Sequence, residues 1–175
     1  MSSGVLFDLA NPRVEDVIAY DVARGLLGLG RFNGQAVING VQWTVLHHSL
    51  AVARLVAYRG GPPGAILHAL VHDAHEAYVG DVVSPLKPYL GARWAALEGT
   101  VEAAVLEAFG ATRHDDWVKP ADREVCLAEG NLAGIGGFAP GAAPRGGLAD
   151  AIRHACFGTP EGWLSQVSFF GGILP

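Results

Sequence analysis

The sequence predicts an all-α fold, and three observations carry that expectation. Apolar residues recur at helical spacing in several segments, no segment shows a persuasive period of two, and the breaks between segments are marked by Pro and Gly. With 175 residues, half of them hydrophobic, the chain has the size of one domain and the means to bury a sizeable core. A single compact domain over residues 1–175 is therefore expected.

The elements follow in order. Asn11-Pro12 is a turn, and Pro12 opens a first predicted helix to about Leu29. "GRFNGQAVINGVQ", from Gly30 to Gln42, reads as a loop or short hairpin because Gly and Asn dominate it. A helix from Trp43 to about Tyr58 follows, and "RGGPPG" breaks the chain. The next helix is expected from Gly64 or Ala65 to about Val79. "GDVVSPLKP" ends it, and helical spacing resumes over residues 91–109. Pro120 is expected to open a helix to about Leu132. Residues 130–147 read as a Gly/Pro/Ala loop. A last helix, from about Leu148 to Phe157, precedes an apolar C-terminal tail, "WLSQVSFFGGILP", which is a candidate partner surface.

The net charge of −5 argues against binding to nucleic-acid polymers or anionic membranes, both of which need a basic surface. A small anionic substrate is still compatible, because a pocket can oppose the net charge. No apolar run of 18 residues occurs, and "MSSGVLFDLANPRVED" lacks the basic and apolar regions of a signal peptide. Cys126 and Cys156 have no metal-binding spacing and are expected to be reduced and structural, which fits a cytoplasmic location.

The chemistry concentrates in "ALVHDAHEAYVGD", residues 69–81. At roughly 100° per residue, Leu67, Leu70, Val71, Ala74 and Tyr78 form one apolar stripe. His68, His72, Asp73, His75 and Glu76 spread over the other side. Such a pattern usually marks a solvated face. Here no Lys or Arg occurs between Arg59 and Lys87, so the carboxylates lack the cations that solvated helices carry at i,i+4. Small apolar residues also interleave with the charges. A divalent cation would relieve the repulsion, and His beside Asp is ligand chemistry for a transition metal.

Adjacent residues on a helix diverge, so His72 and Asp73 need ligands from other helices. In "WTVLHHSLAV", His48 shares the core-facing stripe of Val45, Val52 and Leu55, whereas His47 lies with Trp43, Arg54 and Tyr58. In "VKPADREVCLAEGNL", Asp122 shares a stripe with Val125, Cys126 and Glu129. An Asp just after a helix start reads first as an N-terminal capping or dipole residue, and spacing alone does not bring Asp122 to the others.

A lone His, an adjacent His-Asp pair one helix later and a distant Asp resemble the HD-domain superfamily of metal-dependent phosphohydrolases. "RFNGQ", "VLHHSLAVA", "LVHDAHEAYVGDVVSPLKP" and "VKPADREV…AEG" stand in the order seen in its deoxynucleotidase-like branch. The resemblance covers roughly residues 8–133. It narrows toward short phage-encoded dATP triphosphohydrolases of viruses that replace adenine by 2-aminoadenine. It implies a compact helical HD-domain bundle, a homo-oligomer and, for a phage protein, a host-cytoplasmic location.

The resemblance also implies site residues. His48, His72, Asp73 and Asp122 are the expected metal ligands, and His48 is favoured over His47. Such a donor set suits Zn, Co, Mn or Fe. Glu76 and Asp81 match the acidic pair that follows the HD motif. Glu76 is expected to move a proton or orient the nucleophile. Asp81 is expected to orient neighbours or to hold a second ion such as Mg. Arg31 and Phe32 match an Arg-aromatic pair beside the nucleotide. The branch often carries Trp at the second position; Phe32 keeps the stacking face and loses an N–H donor. Lys87 and His75 are candidates for phosphate, and His68 has a claim that is equally structural. The implied reaction converts dATP and water to deoxyadenosine and triphosphate, depleting dATP. Alternatives are a 5′-deoxynucleotidase acting on monophosphates and a non-catalytic HD-fold protein that binds nucleotides.

Overall fold

The computed structural model describes residues 1–136, 144–172 and 174. It is mostly helical, as expected. After a single 3-10 turn at Val14–Asp16 come α1 (Ala19–Gly28), a hairpin of β1 (Val37–Ile38) and β2 (Val41–Gln42), and α2 (Val45–Tyr58). Then follow α3 (Pro63–Val71), α4 (Glu76–Val79), α5 (Lys87–Ala108), α6 (Asp115–Leu132), α7 (Gly146–Ala155) and α8 (Pro160–Phe169).

The central element is α2, with α3, α6 and α7 packed around it. Eleven of its fourteen residues are buried, including both histidines and Ser49. That burial explains why "VLHHSLAVARLVAY" carries only one charged residue besides its histidines. Thr44 caps the helix: its N–H donates to His47 Nδ1 at 3.1 Å, and the His47 ring stacks on Trp43. His47 is thereby used by the helix start.

Several sequence expectations are corrected. The first helix does not run unbroken from Pro12. Arg13 and Asp16 close one 3-10 turn through their side chains, Val17 is extended, and α1 begins only at Ala19. The helix expected to Val79 is instead two, α3 and α4, joined by a tight turn over residues 72–75. The cause is local competition for carbonyls. His72 Nδ1–H donates to the Ala69 carbonyl at 2.9 Å, the acceptor that the Asp73 amide would use in a continuing helix. Trp163 Nε1–H donates to the Leu70 carbonyl at 2.9 Å. Amides of the turn reach only three residues back, as Ala74 does to Val71 and Glu76 to Asp73.

Helix α5 begins at Lys87 and bends at Gly91, whose φ of 73° is open to glycine. Pro120 lies inside α6, which starts five residues earlier at Asp115. Asp122 is therefore mid-helix, and the capping alternative fails. The last expected helix is α7, ending at Ala155. Most of the apolar tail is a further helix, α8, capped by Thr159, whose Oγ1 accepts from the Gly162 amide. Its Trp163 is fully buried, edge-on to Phe109 at 5.5 Å. The central part of the loop expected at 130–147, residues 137–143, lies outside the described residues. No helix among the described residues is long and apolar enough to cross a membrane.

Candidate metal centre

Two helices and one turn bring the expected ligands together. His48 comes from the first turn of α2, His72 and Asp73 from the turn after α3, and Asp122 from the middle of α6. His48, His72 and Asp122 each offer a ligand atom within 4.8 Å of the other two. Asp73 Oδ2 joins them, 3.2 Å from His72 Nε2 and 3.7 Å from His48 Nε2. The carbonyl competition that breaks α3 also orients the ring: with Nδ1–H held by Ala69, His72 turns Nε2 inward, where it is buried 3.2 Å from Asp73 Oδ2 without a well-aligned hydrogen bond among the described residues. A buried ring nitrogen so placed, beside a carboxylate and with no aligned hydrogen bond among the described residues, is the observation that fits a cation here.

The electrostatics agree. Burial and Arg31 press His48 toward neutrality, yet Glu129 and Asp122 outweigh them and hold its pKa at about 9. Burial raises the Asp73 carboxyl, but His72, His48 and Arg31 more than reverse this and keep it well below the usual range. Asp122 is also lowered, because the His48 hydrogen bond and the charges of His72 and His48 overcome its desolvation. The carboxylates thus draw positive charge into the centre, as protons on the imidazoles in the absence of a cation.

Asp73 and Asp122 of this centre line a cleft of about 660 Å³, a volume suited to a small molecule, and His48 and His72 lie behind them. Arg31, Phe32, Asp73, Glu76, Asp81, Lys87 and Asp122 all line it. Arg31 reaches from the turn after α1, with Nη1 3.4 Å from Asp81 and Nε 3.4 Å from Glu129. Its guanidinium lies 5.6 Å from the Phe32 ring, and Phe32 has a φ of 54° in that turn. Lys87 Nζ is 2.8 Å from Glu98. Glu76 is raised well above the ordinary carboxyl range by burial, then by Asp73 and Asp81, and its Oε2 has no hydrogen-bond partner among the described residues. Asp81 is raised mainly by burial.

Two expected residues lie elsewhere. His75 is buried beside Glu98 at 3.8 Å and does not line the cleft, because the 72–75 turn rotates it toward α5. His68 accepts the His114 amide at 3.0 Å and secures the start of α6, which is a structural role. Sequence reasoning placed Glu129 on the Asp122 stripe but gave it no role, and the structure buries it fully beside His48. Its signal was its position seven residues after Asp122, on the same face of α6. Both cysteines are free, and Cys126 lies on the cleft wall.

No family model matches the chain. It is similar to an uncharacterized protein of Rhodobacter capsulatus, 37% identical over 112 residues, which cover 63% of this chain and 57% of that protein. It is also similar to the uncharacterized protein YfdR of Escherichia coli K12, 30% identical over 96 residues, 55% of this chain and 49% of YfdR. The chain spans about half the length of these curated relatives.

Proposed function

We propose that the chain is a metal-dependent deoxynucleotide phosphohydrolase on the HD-domain plan, and that it converts dATP and water to deoxyadenosine and triphosphate. The observation that carries the reading is the convergence of His48, His72, Asp73 and Asp122, whose two carboxylates line a cleft that also presents Arg31 and Lys87. The choice of dATP rests on the motif resemblance.

These four residues would hold a divalent transition ion, which when bound would supply Lewis acidity to the phosphoryl group and to the attacking water. The chain's own groups do the rest. Arg31 is held by two carboxylates at 3.4 Å, longer than a tight charge-assisted contact, so its planar fork retains donors for phosphate oxygens. Lys87 offsets further phosphate charge. The water oxygen bonds to the α-phosphorus as the bond to the 5′-oxygen breaks. An alkoxide is a poor leaving group, and Glu76, whose carboxyl is raised by burial and then by Asp73 and Asp81, is the group placed to give it a proton. The proton lost by the water returns Glu76 to its starting form. Asp81 orients Arg31 and offers a carboxylate to a second ion such as Mg.

The test incubates purified protein with Mn²⁺, Co²⁺ or Zn²⁺ and either dATP or dAMP, and separates the products. Deoxyadenosine and triphosphate from dATP are expected, with turnover abolished by chelator and by Asp73→Asn. Phosphate released from dAMP with dATP intact would make the protein a 5′-deoxynucleotidase. No turnover of any nucleotide would leave only a binding role.

A further inference from the structure

Glu129 is a buried carboxylate that the proposed reaction does not use. Its Oε1 accepts hydrogen bonds from Trp43 Nε1 at 2.7 Å and His48 Nδ1 at 2.8 Å, and its Oε2 faces Arg31 Nε at 3.4 Å. Both Glu129 and the His48 side chain are fully buried. A carboxylate in such a place is costly unless donors meet it, and here three come from three different residues. Seven residues separate it from Asp122, about two turns of α6, so one helix face presents both carboxylates to the same imidazole. Asp122 Oδ1 meets His48 Nε2 at 3.0 Å on the opposite edge of the ring.

An ionised carboxylate only accepts hydrogen bonds. Against Glu129, His48 must therefore present Nδ1–H, which leaves Nε2 as the nitrogen directed at Asp122, Asp73 and His72. Without a cation Nε2 meets the Asp122 carboxylate as N–H, and that proton is the one a cation would displace. The other Glu129 oxygen faces the arginine that the proposed reaction assigns to phosphate.

We propose that Glu129 is a positioning residue that sets two functional groups at once: it fixes His48 with Nε2 as the metal ligand, and it holds Arg31 in the adjoining cleft. This rests on the metal reading of the centre. A metal-ligating histidine depends on the partner of its other nitrogen, and losing such a partner typically weakens metal binding about 10–100-fold. Glu129 adds a link from that partner to substrate binding, so metal affinity and nucleotide affinity share one side chain.

The experiment titrates Co²⁺ into metal-free wild-type protein and into Glu129→Gln by calorimetry, and measures KM for dATP at saturating metal. Gln keeps the size but loses the charge and must turn an NH₂ group toward His48 and Trp43 or toward Arg31. The expected result is about 10–100-fold weaker Co²⁺ binding and a higher KM. Equal Co²⁺ affinity in the two proteins overturns the proposal, and weaker metal binding with unchanged KM overturns its Arg31 half. Wild-type protein that binds no Co²⁺ overturns the metal reading itself, an outcome visible before any variant is compared.

Nitrogen-15 NMR of the wild-type protein decides the matter even if Glu129→Gln does not fold. Zn²⁺-bound His48 is expected to show a protonated Nδ1 and a metal-shifted Nε2. Coordination through Nδ1 overturns the proposal.

Discussion

Burial lowers the pKa of His48 and of His68 alike, and their neighbours then send the two in opposite directions. His48 lies between Glu129 and Asp122, and these carboxylates outweigh the desolvation that would otherwise keep it neutral. His68 is only 2% exposed but has no such compensation. Desolvation first, then His72, with Arg113 and His114 adding to it against Asp115, lowers its pKa from 6.5 to about 4. The unfolded chain thus takes up a proton between pH 6.5 and about 4 that folded His68 refuses. The stability His68 contributes is complete above pH 6.5 and is lost as pH falls through this window. By pH 4.5 that loss is on the order of 2 kcal/mol. Asn at position 68 keeps an acceptor for the His114 amide and does not titrate. In chelator, urea unfolding of His68→Asn should therefore lose less stability than wild type between pH 7 and 4.5. Parallel profiles would show that His68 is not held neutral.

At the scale of elements, the site depends on how closely α1 and α4 approach. A Cβ on Gly25 would lie 2.8 Å from the Ala77 Cβ and 3.2 Å from its Cα, so nothing larger than hydrogen fits without parting the two helices. Ala77 follows Glu76, and that parting would move the proposed acid. Gly25→Val should cost about 1–3 kcal/mol and lower kcat more than it raises KM. Gly28 stands one turn later on α1, and a methyl group added there would meet nothing within 4 Å. There Gly→Ala should be neutral or stabilising by up to ~1 kcal/mol. Chemical denaturation of both variants checks the pair, and equal effects would contradict the packing argument. The break between α3 and α4 is a second element-scale device. Without the carbonyl taken by His72 Nδ1, the chain would continue as one helix and direct His72 and Asp73 about 100° apart.

For the whole molecule, a cation joining α2, the 72–75 turn and α6 would bind the folded chain and not the unfolded one. At a hundredfold excess over Kd it should add about 2.7 kcal/mol, or about 5–10 °C in Tm for a domain of this size. Thermal melts with Mn²⁺, Co²⁺, Zn²⁺ and Fe²⁺, each reversed by chelator, measure it; no shift with any of them would remove the cation from the account. The all-α class, α2 and the acidic face without cations were legible in the sequence because periodicity and composition are local properties. So was the inward side of His48, which its apolar neighbours Val45, Val52 and Leu55 specify. The split at His72, the start of α6 before Pro120 and the existence of α8 were not. Each depends on a partner distant in sequence or on a carbonyl contested by a side chain, such as Leu70 by Trp163 and the His114 amide by His68. The sequence alone determined which residue types are present and which helix faces are apolar. Only the tertiary structure decided that Asp122 and Glu129 flank one imidazole, that Arg31 lies over them, and that His75 turns away. The physical reason is that a buried charge is tolerated only where opposite charge or hydrogen-bond donors meet it, and packing in space supplies those partners across 74 residues from His48 to Asp122 and 98 from Arg31 to Glu129.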